Sequence, residues 1–243
     1  VTAETLRLHR GLAIEKHRRA LQDLSRRLSL SARRVPPPND LQAWLDSRHP
    51  LPAHAAYLET RYASEPYRLA AALLAADLAN ASRDDMTARL LETTPHSARI
   101  TLKDLVAPLD AIARALPPRL VANHLQTFRR QLEIFGLHAA RLDLREDAAR
   151  LTAALAEILR GLGIDLTFDQ NDDATRAATL TRLFAQPRPA LARHPGITEE
   201  TAETWALFQL LARVQSVYGR ALLGPFVISM AHGPADVLTV LLL

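Results

Sequence analysis

Residues 137–145 read Leu137-His138-Ala139-Ala140-Arg141-Leu142-Asp143-Leu144-Arg145, and the period of this stretch decides the fold class. Ala140, Leu142 and Leu144 fall on one side of an extended chain, and Arg141, Asp143 and Arg145 fall on the other. Alternation of that kind is the mark of a strand, because successive side chains point to opposite faces. A helical pattern follows at once, with Leu151, Leu155, Ile158, Leu159 and Leu162 at helical spacing and Gly161 and Gly163 as candidate stops. A second strand comes late. Pro225-Phe226-Val227-Ile228-Ser229-Met230-Ala231 is apolar apart from Ser229, as expected of a strand buried on both faces. Gly233-Pro234 then makes the turn, and a helix starts at Asp236. Two strand–turn–helix units in a long helical context predict a mainly α chain carrying part of a parallel α/β barrel of the TIM type. Its two barrel strands fall at about 138–145 and 226–231, and the helical insertions are large.

Outward from that stretch the pattern is helical. Leu21, Leu24 and Leu28 give a helix over 5–30, which the triple proline 36–38 ends. Asp40 to Arg48 reads as a short helix closed by Pro50 and Pro52. Ser64 is a candidate N-cap for a helix whose core face is Leu69, Leu73, Leu74 and Leu78. A polar stretch holds a short amphipathic piece at Leu90 and Leu91; helices over 102–116 and 121–135 follow, the first stopped by Pro117-Pro118 and the second by Gly136. Two more are expected at 175–184 and 198–217. The chain thus divides into a helical region, 1–136, and a partial-barrel region, 137–243, within one larger domain.

Composition excludes several classes. In 243 residues there is no cysteine, which removes disulfide frameworks, thiolate zinc sites and cysteine nucleophiles. No apolar run approaches the roughly 18 residues of a membrane span, and no secretory signal pattern opens the chain. Only Lys16 and Lys103 are lysines, so 28 of the 30 basic residues are arginine. Arginine and acid are interspersed, as in Arg18, Arg19, Asp23, Arg26 and Arg27, the pattern of a solvated helix face. Nucleic-acid binding does not follow from the net charge of +4. The chain opens on Val1 and closes on an apolar run from Val237 to Leu243, so both ends read as cuts through a longer protein.

Three charged side chains alternating near a strand's C-terminal end have two readings. One is an edge strand with a solvated charged face, which pattern alone favours. The other is a barrel mouth, where Arg141, Asp143 and Arg145 converge on substrate. Arginine suits a phosphate or carboxylate because its planar fork donates two bonds at once, and Asp143 is placed to hold one of its neighbours. The nine histidines form no metal-ligand set: His9 and His17 are eight residues apart, and no His-Glu-x-x-His occurs. His232 alone sits at a strand end, where a structural role is the simpler reading. Ser229 lacks the glycine-flanked elbow of a nucleophile, so Ser229 and Met230 read as packing or as a pocket wall. Arg33-Arg34 reads as solvated linker, and no phosphate-binding glycine loop is present.

At these two strands the sequence resembles a known family. Phe135-Gly136 through Arg141-Leu142-Asp143-Leu144-Arg145-Glu146-Asp147-Ala148-Ala149-Arg150 is similar to the phosphoenolpyruvate carboxylase segment F-G-x-x-x-x-R-[IL]-D-[IL]-R-Q-[ED]-S-x-x-H. Val227-Ile228-Ser229-Met230-Ala231-His232-Gly233-Pro234-Ala235-Asp236-Val237-Leu238 resembles that family's V-I-S-M-A-x-x-P-S-D-V-L. Glu4-Thr5-Leu6-Arg7, Leu24-Ser25-Arg26-Arg27-Leu28-Ser29 and Glu65-Pro66-Tyr67-Arg68 agree in order.

The resemblance implies a barrel enzyme that carboxylates phosphoenolpyruvate with bicarbonate to oxaloacetate and phosphate. It further implies dependence on Mg²⁺ or Mn²⁺, allosteric control, a cytoplasmic location and a homo-oligomer, usually a tetramer, with no nucleic acid or membrane as partner. It assigns Arg145, the second arginine of R-x-D-x-R, to the substrate phosphate, with Asp143 and Arg141 beside it. The chain departs from the family at Glu146, Ala148 and Leu151 and at His232 and Ala235, which replace Gln, Ser, His, Lys and Ser. The family's T-A-H-P-T-E, G-G-D-R-D-G-N-P and H-G-R-G-G segments and its acidic metal ligands are not in these residues. By family order they belong outside this stretch, so the expected object is the middle of the enzyme, inactive by itself. The competing expectation from another class is a helical interaction module that binds nucleic acid through arginine.

Overall fold

The computed structural model describes residues 2–82, 86–91, 98–121, 123–187 and 197–243. In chain order the elements are α1 (Ala3–Arg27), α2 (Asn39–Ser47), α3 (Tyr57–Arg61), α4 (Pro66–Ala81), α5 (Met86–Leu91), α6 (Leu102–Ala115), α7 (Pro118–Val121) and α8 (His124–Phe135). They continue with β1 (Leu142–Asp147), α9 (Ala148–Gly161), α10 (Asp173–Phe184), α11 (Glu199–Tyr218), β2 (Leu223–Ser229) and α12 (Pro234–Leu242), with short 3-10 turns at Phe168–Gln170 and Arg220–Leu222. The expected mainly α class holds. The chain forms two compact units: Ala3–Arg141 with Ser216–Leu222, and Leu142–Gln215 with Leu223–Leu243 and Thr2.

The first unit is built on α1 and α4. Ile14, Leu21 and Leu24 of α1 share one core with Leu69, Leu73, Leu74 and Leu78 of α4, and burying each such side chain contributes about 1.5–3 kcal/mol. Composition favours α4: eleven of its sixteen residues are Ala or Leu, and Pro66 sits in the first turn, where a missing N–H costs nothing. Its N-cap is Glu65 rather than the expected Ser64, and no side chain caps it. The Glu65 carboxylate is taken by the Ser29 hydroxyl at 2.7 Å and by Arg68 at 3.2 Å. Thr101 and Asp104 form a reciprocal capping box that starts α6. The helix expected over 121–135 starts at His124, because Asn123 (φ −94°, ψ −88°) is not helical.

α8 stops at Gly136, whose φ of +52° favours glycine. The strand expected from 138 starts instead at Leu142. Residues 137–140 form a turn in which the Ala139 N–H donates to Phe135 O at 3.2 Å and Ala139 takes φ +63°.

The second unit is organised on a two-stranded parallel sheet. Leu142 pairs with Leu223, Leu144 with Phe226, Arg145 with Val227, Glu146 with Ile228 and Asp147 with Ser229. The register slips between Leu142 and Leu144, where β2 spends its extra residue on Gly224-Pro225. β2 is not buried on both faces as its composition suggests. Pro225, Val227 and Ser229 are exposed while Phe226 and Ile228 are half-buried, and it ends at Ser229 because Met230 turns left-handed at φ +55°. Phe226 stacks on Phe208 of α11, ring centroids 5.6 Å apart. A separate core of Leu155, Leu159, Phe168, Leu180 and Ala235 ties α9, α10 and α12 together. Two strands make an open sheet; a closed barrel is not among the described elements.

Candidate functional site

The sheet has one apolar face and one exposed face, and the exposed face carries the charges. Leu144 is 4 % exposed and points inward, whereas Asp143 and Arg145 on either side of it are exposed. Arg145 stands opposite Val227, itself 38 % exposed, two residues before β1 passes into α9. At that junction Asp147 caps α9, accepting the Ala149 N–H at 2.9 Å. No carboxylate of the described residues pairs with Arg145, so among them its side chain stands exposed near the C-terminal end of the parallel pair without a counter-ion.

Asp143 does not restrain Arg145. Its carboxylate lies over Gly224 on β2, where a β-carbon would come within 2.5 Å of Oδ1. Glycine at 224 thus makes room for Asp143, a pairing the alternation of β1 could not disclose because it depends on the cross-strand register. Arg141 lies outside the strand, exposed, in the turn that closes the first unit. The triplet read from the sequence is therefore a strand pair, Asp143 and Arg145, and one separate arginine.

On the neighbouring strand the Ser229 hydroxyl donates to Glu146 O at 3.2 Å, so it serves the sheet. Met230 is 70 % exposed just beyond it. The turn from Met230 to Gly233 is fixed from below by Asp236, 3 % exposed, which accepts the His232 N–H at 2.7 Å and the Gly233 N–H at 3.2 Å. These residues frame the sheet end at which Arg145 stands.

The first unit holds a cavity of about 460 Å³ lined by Arg10, Ile100, Gly136, His138, Arg141 and Tyr218 among others. Arg10 is 6 % exposed, donates to Ile100 O at 3.0 Å and lies 4.7 Å over the Tyr218 ring. Burial, reinforced by the positive charges of Arg10 and Arg141, lowers the His138 pKa to about 4, so the imidazole is neutral near pH 7. Sequence reading placed His138 on a strand and did not connect it with Arg10, 128 positions earlier in the chain. No group of three or more His, Asp or Glu side chains among the described residues converges as a metal-ligand set. No helix of the described residues is long and apolar enough to cross a membrane.

Comparison with known proteins gives a consistent picture. The family model described as phosphoenolpyruvate carboxylase matches residues 1–243. A phosphoenolpyruvate carboxylase of Roseiflexus castenholzii is 32% identical over 252 residues, covering 100% of this chain and 27% of the relative. That of Rhodopseudomonas palustris is 29% identical, covering 100% of this chain and 26% of its own length. That of Shewanella oneidensis is 36% identical over 76% of this chain and 21% of its own length. The chain spans about a quarter of the length of these relatives.

Proposed function

The chain belongs to the phosphoenolpyruvate carboxylase family, and from that premise we propose that it forms the part of a longer enzyme that presents Arg145 to the phosphate of phosphoenolpyruvate. The reaction joins bicarbonate to phosphoenolpyruvate. A bicarbonate oxygen attacks phosphorus and the P–O bond to the enol oxygen breaks, giving carboxyphosphate and the enolate of pyruvate. Carboxyphosphate releases CO₂ and phosphate, and the enolate carbon bonds to CO₂ to give oxaloacetate. Charge accumulates on the transferred phosphoryl oxygens, and a positioned guanidinium at the sheet end offsets it with two parallel N–H bonds. The parallel α/β barrel to which β1 and β2 contribute places such groups at the C-terminal ends of its strands.

The observation that carries this reading is Arg145 itself: exposed, without an acidic partner among the described residues, and near the C-terminal end of a strand in a parallel pair. In the same reading Asp143 borders the substrate and Ser229 and Met230 form the adjoining wall. The divalent ion implied by the family finds no ligand set in the described residues, and none of the roles assigned here runs through it. Oligomeric assembly, allosteric control and a cytoplasmic location belong to the same proposal.

The competing module that binds nucleic acid through arginine is disfavoured by charge pairing. Arg7, Arg18, Arg19, Arg26, Arg48, Arg129, Arg150 and Arg160 each sit within an ion pair with Asp or Glu, which breaks up a continuous basic surface.

The test is Arg145→Ala in the full-length protein that carries these residues. Loss of roughly 2–4 kcal/mol of transition-state binding in kcat/KM for oxaloacetate formation is expected. Near-normal oxaloacetate production would overturn the assignment. The isolated 243-residue chain is expected to be inactive.

A further inference from the structure

A group of polar side chains next to this site, outside the charged strand face, is joined across three helices. Arg176 of α10 is 15 % exposed at its side chain and lies 3.8 Å from Asp173 Oδ1 and 3.9 Å from Asp236 Oδ1. Its Nη1 donates to Thr152 Oγ1 of α9 at 3.2 Å, and its buried Nε has no hydrogen-bond partner. Asp236, on α12, holds the His232 and Gly233 amides. Asp173, on α10, accepts the Ala235 N–H at 3.2 Å and packs so closely on Gly233 that a β-carbon there would lie 2.3 Å from its carboxyl carbon. One guanidinium thus sits between two carboxylates that together grip every free amide of the turn from His232 to Ala235, Pro234 having none.

The turn so gripped follows β2 directly. Ser229 pairs with Asp147 and Val227 with Arg145, so Met230 is three residues, roughly 10 Å of strand, beyond the position opposite Arg145. Carboxylates that hold main-chain amides while facing a part-buried cation lose their geometry when the cation goes, because like charges then face each other with reduced solvation. The 3.8 Å and 3.9 Å separations allow Coulomb attraction but no direct hydrogen bond, so the requirement is for positive charge more than for the guanidinium fork.

We propose that Arg176 is a positioning residue for the carboxylation: through Asp173 and Asp236 it fixes the turn Met230–Gly233 against the sheet end that presents Arg145. The inference rests on the functional reading above and extends it to residues that touch no substrate. Gly233 belongs to the same device, since a side chain there displaces Asp173.

The experiment uses the full-length protein and compares Arg176→Met, Arg176→Lys and Gly233→Ala with the parent. Peptide-level hydrogen exchange across residues 229–236 should quicken at least tenfold in Arg176→Met while peptides of α9 and α11 keep their protection. Arg176→Lys should stay within threefold of the parent. Oxaloacetate formation should fall tenfold or more in kcat for Arg176→Met, with phosphoenolpyruvate KM changed less than threefold, and should recover in Arg176→Lys. Gly233→Ala, which leaves all three charged side chains in place, should reproduce the faster exchange at the turn even where Arg176→Met fails to fold. A folded Arg176→Met with unchanged exchange and kcat overturns the inference, as does activity lost only in proportion to unfolded protein. If Arg145→Ala keeps its activity, the functional reading fails, while the exchange result still decides whether Arg176 holds the turn.

Discussion

The Asp143 carboxylate occupies the place of a side chain on Gly224. Oδ1 is 2.5 Å from where a β-carbon at 224 would stand, and the Asp143 nitrogen and Leu142 carbonyl carbon are each 3.1 Å from the same point. Gly224→Ala therefore presses on both a movable carboxylate and an immovable strand backbone. We expect it to destabilise the protein by about 1–3 kcal/mol. Asp143→Ala should relieve only the carboxylate's share, so the double variant should be better than additive by about 0.5 kcal/mol or more. Urea unfolding of the four proteins checks this; strict additivity would show that Asp143 does not fill the space over Gly224.

At Arg145 the expected requirement is for the fork as well as for the charge. Lysine keeps the cation but cannot give two parallel bonds to one phosphate. Arg145→Lys should lower kcat/KM by about 1.5 kcal/mol or more, losing one charge-assisted bond, and should remain more active than Arg145→Ala. Steady-state kinetics with phosphoenolpyruvate distinguish the cases: full activity of the lysine variant means the site reads charge alone.

The contrast between Arg145 and Asp143 shows what the amino-acid order could disclose. Alternation from Leu142 to Arg145 is a local property, and the exposure pattern of β1 follows it residue by residue. The leucine spacing of α1, α4 and α9 likewise carries through to their buried faces. What local period misses is set by partners distant in sequence. The backbone turns left-handed at Ala139 and Met230, moving both strand ends from where apolar runs placed them. Ser64 makes a good cap by type, but its carbonyl is taken by the Ala32 amide. The Arg176 clasp joins α9, α10 and α12, and no spacing rule connects residues 152, 176 and 236.

His138 should make the protein sensitive to mild acid. Its imidazole is held neutral down to about pH 4, chiefly by burial and then by Arg10 and Arg141; in the unfolded chain it titrates near pH 6.5. The depressed value means that the unfolded state binds the proton first, so stability is complete above pH 6.5 and declines from there to about pH 4. His17 is shifted in the same direction by burial. Carboxylates lose their contribution mainly below this window, so pH 7 to pH 5 isolates the imidazoles. We expect a loss of about 2 kcal/mol from His138 over that range, measured as a falling urea midpoint. His138→Gln should flatten the decline, and an unchanged slope would remove His138 as its cause.

Asp77 should matter more to stability than any exposed acid of the first unit. It projects from α4 with its side chain 15 % exposed and accepts Arg48 Nη2 at 2.6 Å and His54 Nε2 at 3.0 Å. Arg48 in turn lies 5.3 Å over the Trp44 ring. One carboxylate thus fastens the end of α2 and the segment leading to α3 onto the helix at the centre of the core. Asp77→Ala leaves a part-buried guanidinium and an imidazole without their acceptor, at a cost of roughly 2–3 kcal/mol. Glu15 provides the comparison: it also binds two arginines, Arg18 and Arg19, which hold its carboxyl down at about 2, but it does so at the surface of a single helix. Glu15→Ala should stay within about 1 kcal/mol of the parent, and its small effect should shrink further in 0.5 M salt while that of Asp77→Ala persists, because screening reaches exposed pairs first. Equal losses in the two variants, or an Asp77→Ala penalty that salt abolishes, would place the Asp77 cluster among ordinary surface pairs.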